Sequence, residues 1–110
     1  MTYQEIAEMV SSIGLPFAYY SFPEKSAPNL PYVIYYFPNS ADFVADNKNY
    51  QPGETLNIEL YTENKDFALE KTVEDVLNAH DLVFDRVESF LTSEEMYEVL
   101  FTTDVVIKEN

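Results

Sequence analysis

His80 is the one histidine of the sequence, and cysteine is absent. Any nucleophile–base–acid constellation would therefore have to run through a single imidazole. A general base also needs a positioned partner and a cleft. His80 stands near the end of a helical pattern, where interaction with the last carbonyls and the helix dipole accounts for it without catalysis. Carboxylates are so numerous that a pair of them carries little information. Glu74-Asp75 and Glu94-Glu95 are adjacent in sequence, which aims successive side chains apart rather than at one substrate. Asp42, Asp46 and Asn47 lack the alternate-position acids, central Gly and terminal Glu of a calcium loop. Gly14 and Gly53 are the only glycines and stand alone, so no phosphate-cradling loop can be built. The expectation is a protein with no catalytic residue, no cofactor and no metal, and hence not an enzyme.

Charge narrows the partners. Twenty acids face six bases over 110 residues, a net charge of −14. The bias is steepest after residue 53, where fifteen acids face four bases. Such a surface repels a polyanionic duplex, so no direct grip on nucleic acid is expected. It also argues against docking on anionic lipid, and no run approaches the ~20 apolar residues of a membrane span. The N-terminus lacks a basic region followed by an apolar stretch, so the protein is expected to act in the compartment where it is made, or in a particle assembled there.

The elements read as follows. Thr2 and Glu5 have capping-box spacing, and Ile6, Met9, Val10 and Ile13 recur at helical intervals up to Gly14 and Pro16. Residues 16–22 and 32–37 read as strands, separated by a proline-rich loop at 23–31. The second of these has no alternation, which predicts cover on both faces, by a helix on one side and a second subunit on the other. Residues 55–63 alternate, with Leu56, Ile58 and Leu60 on one face and Asn57 and Glu59 on the other. Asp66 caps a second helix whose apolar face is Leu69, Val73, Val76 and Leu77, with Glu70, Glu74 and Asp75 turned away. Strands follow at 82–91 and 95–107, with a turn at 92–95; Tyr97, Val99, Phe101, Thr103 and Val105 share one side of the last. The expected fold is a single α+β domain over residues 1–110, in the order α-β-β-β-α-β-β. Its sheet is mostly antiparallel, with both helices packed on one face.

Residues 38–53 are too long for a simple connection and carry bulky side chains around Asp46-Asn47-Lys48. They read as a β-hairpin arm with its turn there. An isolated two-stranded arm is only marginally stable in water, so it gains from a partner chain. Phe43, Val44 and Tyr50 are the candidate residues for protein–protein contact. Tyrosines on and beside the strands point the same way, because a partly exposed Tyr packs its ring while keeping its hydroxyl wet.

Four stretches, "SIGLPFAYYSFPE" (12–24), "PYVIYYFPNSADFVADNKNYQ" (31–51), "LNIELYTENKDFALEKTVEDVL" (56–77) and "SEEMYEVLFTTDV" (93–105), carry a resemblance. They are similar to small proteins encoded beside the tail genes of Gram-positive siphophages and prophages, known as minor tail, tail completion or head–tail joining proteins. The order of elements most resembles the tail terminators. That resemblance implies a ring, a hexamer, that caps the tail tube and joins the tail to the head. It implies three partners: further copies of the chain, the major tail tube protein and the head connector protein. The implied location is the virion tail, and the bacterial host cytoplasm during assembly. Two other roles stay open: a head-completion (stopper or adaptor) protein at the same joint, and an acidic DNA-mimic inhibitor.

Overall fold

The computed structural model describes residues 1–24, 26–45 and 49–108. Its elements are α1 (Tyr3–Ser11), β1 (Phe17–Tyr19), β2 (Tyr32–Ser40), β3 (Phe43–Ala45), β4 (Asn49–Gln51), β5 (Gly53–Thr62), α2 (Phe67–Ala79), β6 (Phe84–Leu91) and β7 (Met96–Val106). Five strands form one sheet in the order β1-β2-β5-β7-β6, and β3 pairs with β4 alone.

Helix α1 starts where its box predicts. The Thr2 hydroxyl accepts from the Glu5 amide at 3.1 Å, and the Glu5 carboxylate accepts from the Thr2 amide at 2.8 Å. Gly14 has a φ of 90° just past the last turn, a conformation that glycine adopts without a Cβ penalty. Helix α2 is capped by Asp66, whose carboxylate accepts from the Leu69 amide at 3.0 Å. At its other end the His80 Nδ1 lies 2.9 Å from the Val76 carbonyl oxygen. The imidazole thus serves one of the carbonyls that a helix end leaves unpaired.

Both helices lie on one face of the sheet. Ile6, Met9 and Val10 of α1 and Val73 and Leu77 of α2 form one core with Val33, Tyr35, Leu56, Ile58, Leu60, Val99, Phe101 and Val105. Register explains the pattern. Leu60 stands between Val33 and Val99, and Ile58 between Tyr35 and Phe101. Partners directly opposite share a face, so the alternation of β5 recruits the matching phase of both neighbours. Burying each of these side chains contributes roughly 1.5–3 kcal/mol, which makes this face the one that holds the fold.

Two expectations need correction. The strand expected at 16–22 shrinks to Phe17–Tyr19 and pairs with β2 in parallel, not antiparallel. Tyr20 has a φ of 69°, which ends the strand, and the proline-rich 20–31 segment is long enough to bring the chain back in the same direction. The helices cover one face of β2, as expected, and no helix of the described residues covers the other. Ile34 is buried there by neighbouring side chains instead. Second, Glu70 does not face away from the core. It is 3% exposed and lies between Lys65 at 2.5 Å and Arg86 at 3.4 Å, the latter also 3.3 Å from Glu74. Lys65 reaches Glu88 of β6 as well. An ion-pair network thus links α2 to the edge strand, beside the packing of Phe84 on the core.

The β2–β5 ladder runs beyond residue 38, with Asn39 opposite Thr55 and Ser40 opposite Glu54. Its register shifts between Tyr36 and Asn39, where Pro38 can donate no backbone bond. The arm is therefore shorter than 38–53: it comprises β3, β4 and the links to the sheet. The turn expected at Asp46-Asn47-Lys48 lies outside the described residues. The molecule measures 49 × 26 × 24 Å with a radius of gyration of 14.9 Å, against roughly 13 Å for a compact chain of this length.

Candidate functional site

Two surfaces stand apart from the core. The first is the arm. Val44 pairs directly with Tyr50, so the two share a face of the hairpin, and they are 62% and 64% exposed. Phe43 pairs with Gln51 and belongs to the opposite face. The structure thus unites Val44 and Tyr50 and separates Phe43 from them. Phe43 packs locally instead. Its ring lies on Gly53, where an added Cβ would come within 2.6 Å of Cε2.

The base of the arm is tied down by backbone and side chains together. The Ala41 amide donates to the Gly53 carbonyl at 2.9 Å, and the Ile107 amide to the Pro52 carbonyl at 2.9 Å. Asp42 accepts twice, from the Tyr50 hydroxyl at 2.7 Å and from the Gly53 amide at 3.3 Å. That bond to a carboxylate keeps the Tyr50 phenol protonated by raising its pKa. Asp42 acts here as a brace. Within the described part of the arm, Phe43 and Tyr50 meet the arm's own base, at Gly53 and Asp42.

The second surface is the helix-free face of the sheet, which sequence reasoning reached only as a set of scattered tyrosines. Three ring pairs line it: Tyr20 with Tyr36 at 5.5 Å, Phe22 with Tyr32 at 5.2 Å, and Tyr32 with Tyr61 at 5.3 Å between centroids. The 20–31 segment supplies the outer rings and the strands the inner ones. A groove of about 350 Å³ runs between them and the β6–β7 turn, with Ile34 in its floor and Glu59 and Glu94 among its walls.

Beside the groove lies a carboxylate pair. The Tyr61 hydroxyl is 2.8 Å from Glu98 Oε2 and 3.1 Å from Glu59 Oε1. Register creates this cluster, because Tyr61 stands opposite Glu98 across β5 and β7 while Glu59 is two residues back on the same face. Burial first, and the charge of Glu98 second, push the Glu59 carboxyl up to about 6. Burial and the bond to Glu98 likewise raise the Tyr61 phenol. The alternation of 55–63 shows that Glu59 shares a face with Tyr61, but nothing in the sequence announces that Glu98 joins them.

Chemically, this face offers hydrogen-bond acceptors and aromatic walls. Among the described residues no group of three or more His, Asp or Glu side chains is placed to hold a metal ion. His80 lies on the opposite side of the sheet in a separate shallow depression beside Glu5 and Glu8. No helix of the described residues is long and apolar enough to cross a membrane.

No protein-family model matches the chain, and no curated protein sequence does. The fold has a counterpart among solved structures. A chain from the virion of a native gene transfer agent particle superposes with a TM-score of 0.61, covering 97% of this chain and 91% of that one, at 17% identity. At that identity the likeness establishes the fold, including nearly the whole length of both chains.

Proposed function

We propose that this chain is a structural component of a phage-type virion, which closes the tail tube as a ring and joins the tail to the head connector, performing no reaction. The observation that carries this reading is the braced arm, which holds Val44 and Tyr50 on one exposed face beyond the sheet. A ring needs heterologous contacts, in which one patch meets a different patch on the next copy. A braced arm with an exposed face carrying Val44 and Tyr50 is suited to reach such a neighbour. Two further observations support the reading: the fold shared with a chain of a gene transfer agent virion, and the resemblance of four stretches of the sequence to tail terminators. A net charge of −14 suits a ring around a DNA path, because repulsion keeps the passing duplex from sticking.

The test is a mass measurement in solution, with the protein alone and with assembled tail tube protein. The expected outcome is a ring-sized species or a capped tube for the natural chain. Val44→Ser with Tyr50→Ser should remain a folded monomer and fail to cap. A natural chain that stays monomeric with the tube and instead binds a nuclease or polymerase would point to DNA mimicry and overturn the proposal.

A further inference from the structure

The helix-free face has an occupant that its chemistry describes. We infer that its groove receives an arginine side chain presented by a second, basic protein. The site stands on its own geometry, independent of whether the chain forms rings.

Three observations converge. The walls are aromatic: Phe22, Tyr32 and Tyr61 follow one another at 5.2 and 5.3 Å, and ring faces attract a cation, a planar guanidinium above all. The walls are also acidic, with Glu59 and Glu94 lining the groove and Glu98 joined to Glu59 through the Tyr61 hydroxyl. A guanidinium can lie flat on a ring and still fork to a carboxylate, a combination that ammonium cannot reproduce.

Third, the described residues supply no cation to this site. Lys65 and Arg86 bind Glu70, Glu74 and Glu88 between α2 and β6, and Lys71 binds Asp75. Lys108 faces Glu5 near the N-terminus. Two carboxylates held together in a half-buried setting, with no counter-ion among the described residues, constitute an electrostatic demand that an incoming cation relieves. Glu59, raised by burial and Glu98, would ionise fully once such a charge arrives. A second copy of this chain is a poor source of it, since its one arginine, Arg86, already binds Glu70 and Glu74. The groove, at about 350 Å³, is at the small end of ligand sites (roughly 300–1,000 Å³), which suits one side chain better than a cofactor.

The experiment titrates the isotope-labelled protein with acetyl-Ala-Arg-Ala-amide and, in parallel, with the same peptide bearing neutral citrulline in place of arginine. Amide resonances of Ile34, Glu59, Tyr61 and Met96 should shift saturably with the arginine peptide. The citrulline peptide should bind at least about tenfold more weakly. Glu59→Gln and, separately, Glu94→Gln should each weaken binding severalfold while the dispersed native spectrum persists. Asp75→Asn, on the far face of α2, should leave it unchanged. Four results would overturn the assignment: no saturation, equal response to citrulline, shifts spread over all surface acids including Asp75, or self-association of the peptide-free protein that Glu59→Gln abolishes. The last would make the occupant a second copy.

Discussion

The ring of Phe43 rests on the Cα of Gly53 so closely that a methyl group there would sit 2.6 Å from Phe43 Cε2 and 2.3 Å from the Ala41 carbonyl oxygen. Gly53 is the residue at which the β2–β5 ladder ends and the arm begins. Its lack of a side chain is thus a steric requirement of the junction. It lets a half-exposed aromatic ring and a backbone carbonyl close over the strand, and so gives the arm a defined direction.

Gly53→Ala should therefore damage the junction. The side chain of Phe43 could swing away, but the Ala41 carbonyl belongs to the backbone and must move with its strand. A loss of about 1–3 kcal/mol is expected from this overpacking. Urea unfolding measures it, and faster hydrogen exchange at the Ala41 and Gly53 amides should accompany it. Unchanged exchange at both would show that the arm does not depend on the close approach.

Val44→Ser with Tyr50→Ser should behave in the opposite way. Both side chains are exposed, so the denaturation midpoint should move little, the lost Tyr50–Asp42 bond being open to water. Phe43→Ser, by contrast, should loosen the arm base. If the double variant unfolds, the tip face belongs to the core of the monomer and cannot serve an assembly contact.

The Glu70 network gives a third expectation. Lys65→Met with Arg86→Met leaves a carboxylate that is 3% exposed without either cation, at a cost of about 3 kcal/mol. Adding Glu70→Met should recover most of that loss, because an apolar trio can replace a buried ion cluster. Denaturant midpoints of the double and triple variants decide it. A triple variant no more stable than the double would mean that the network's geometry, not its uncompensated charge, matters.

Local signals carried much of this fold. The Thr2–Glu5 box, the Asp66 cap and the alternation of Leu56, Ile58 and Leu60 each operate within a few residues, and each appears where its spacing indicates. The phase of Val99, Phe101, Thr103 and Val105 was equally legible. What depends on distant partners was not. Glu70 reads as solvent-facing because its burial is decided by Lys65, from a loop, and Arg86, from a strand. The parallel pairing of β1 hinges on three residues and a left-handed Tyr20. Phe43, Val44 and Tyr50 look like one patch in sequence, yet cross-strand register divides them. The Glu59–Tyr61–Glu98 cluster exists only through the β5–β7 alignment.

That cluster should make stability depend on pH in a distinctive direction. The Glu59 carboxyl rises from its ordinary 4.5 to about 6 on folding, so the folded chain holds the proton more tightly than the unfolded chain. Its contribution is complete below pH 4.5 and is lost as the pH climbs through 6. The groups facing it are Glu98 of β7 and Tyr61 of its own strand, with Tyr32 of β2 and Glu94 of the turn across the groove. The charge of Glu98 reinforces the rise, while the Tyr61 hydroxyl bond opposes it. Glu59→Gln keeps an acceptor for Tyr61 but removes the titration. The variant should match the natural chain near pH 4.5 and exceed it by about 1 kcal/mol at pH 7.5, the full shift being reduced by solvent around a half-exposed pair. Urea unfolding across that range gives the difference curve. A difference that stays flat, or that favours the natural chain as pH rises, would show that Glu59 ionises without penalty and that the face poses no electrostatic demand. Repeating the series with saturating arginine peptide should move the midpoint of the curve downward, because a bound cation stabilises the very charge that burial disfavours.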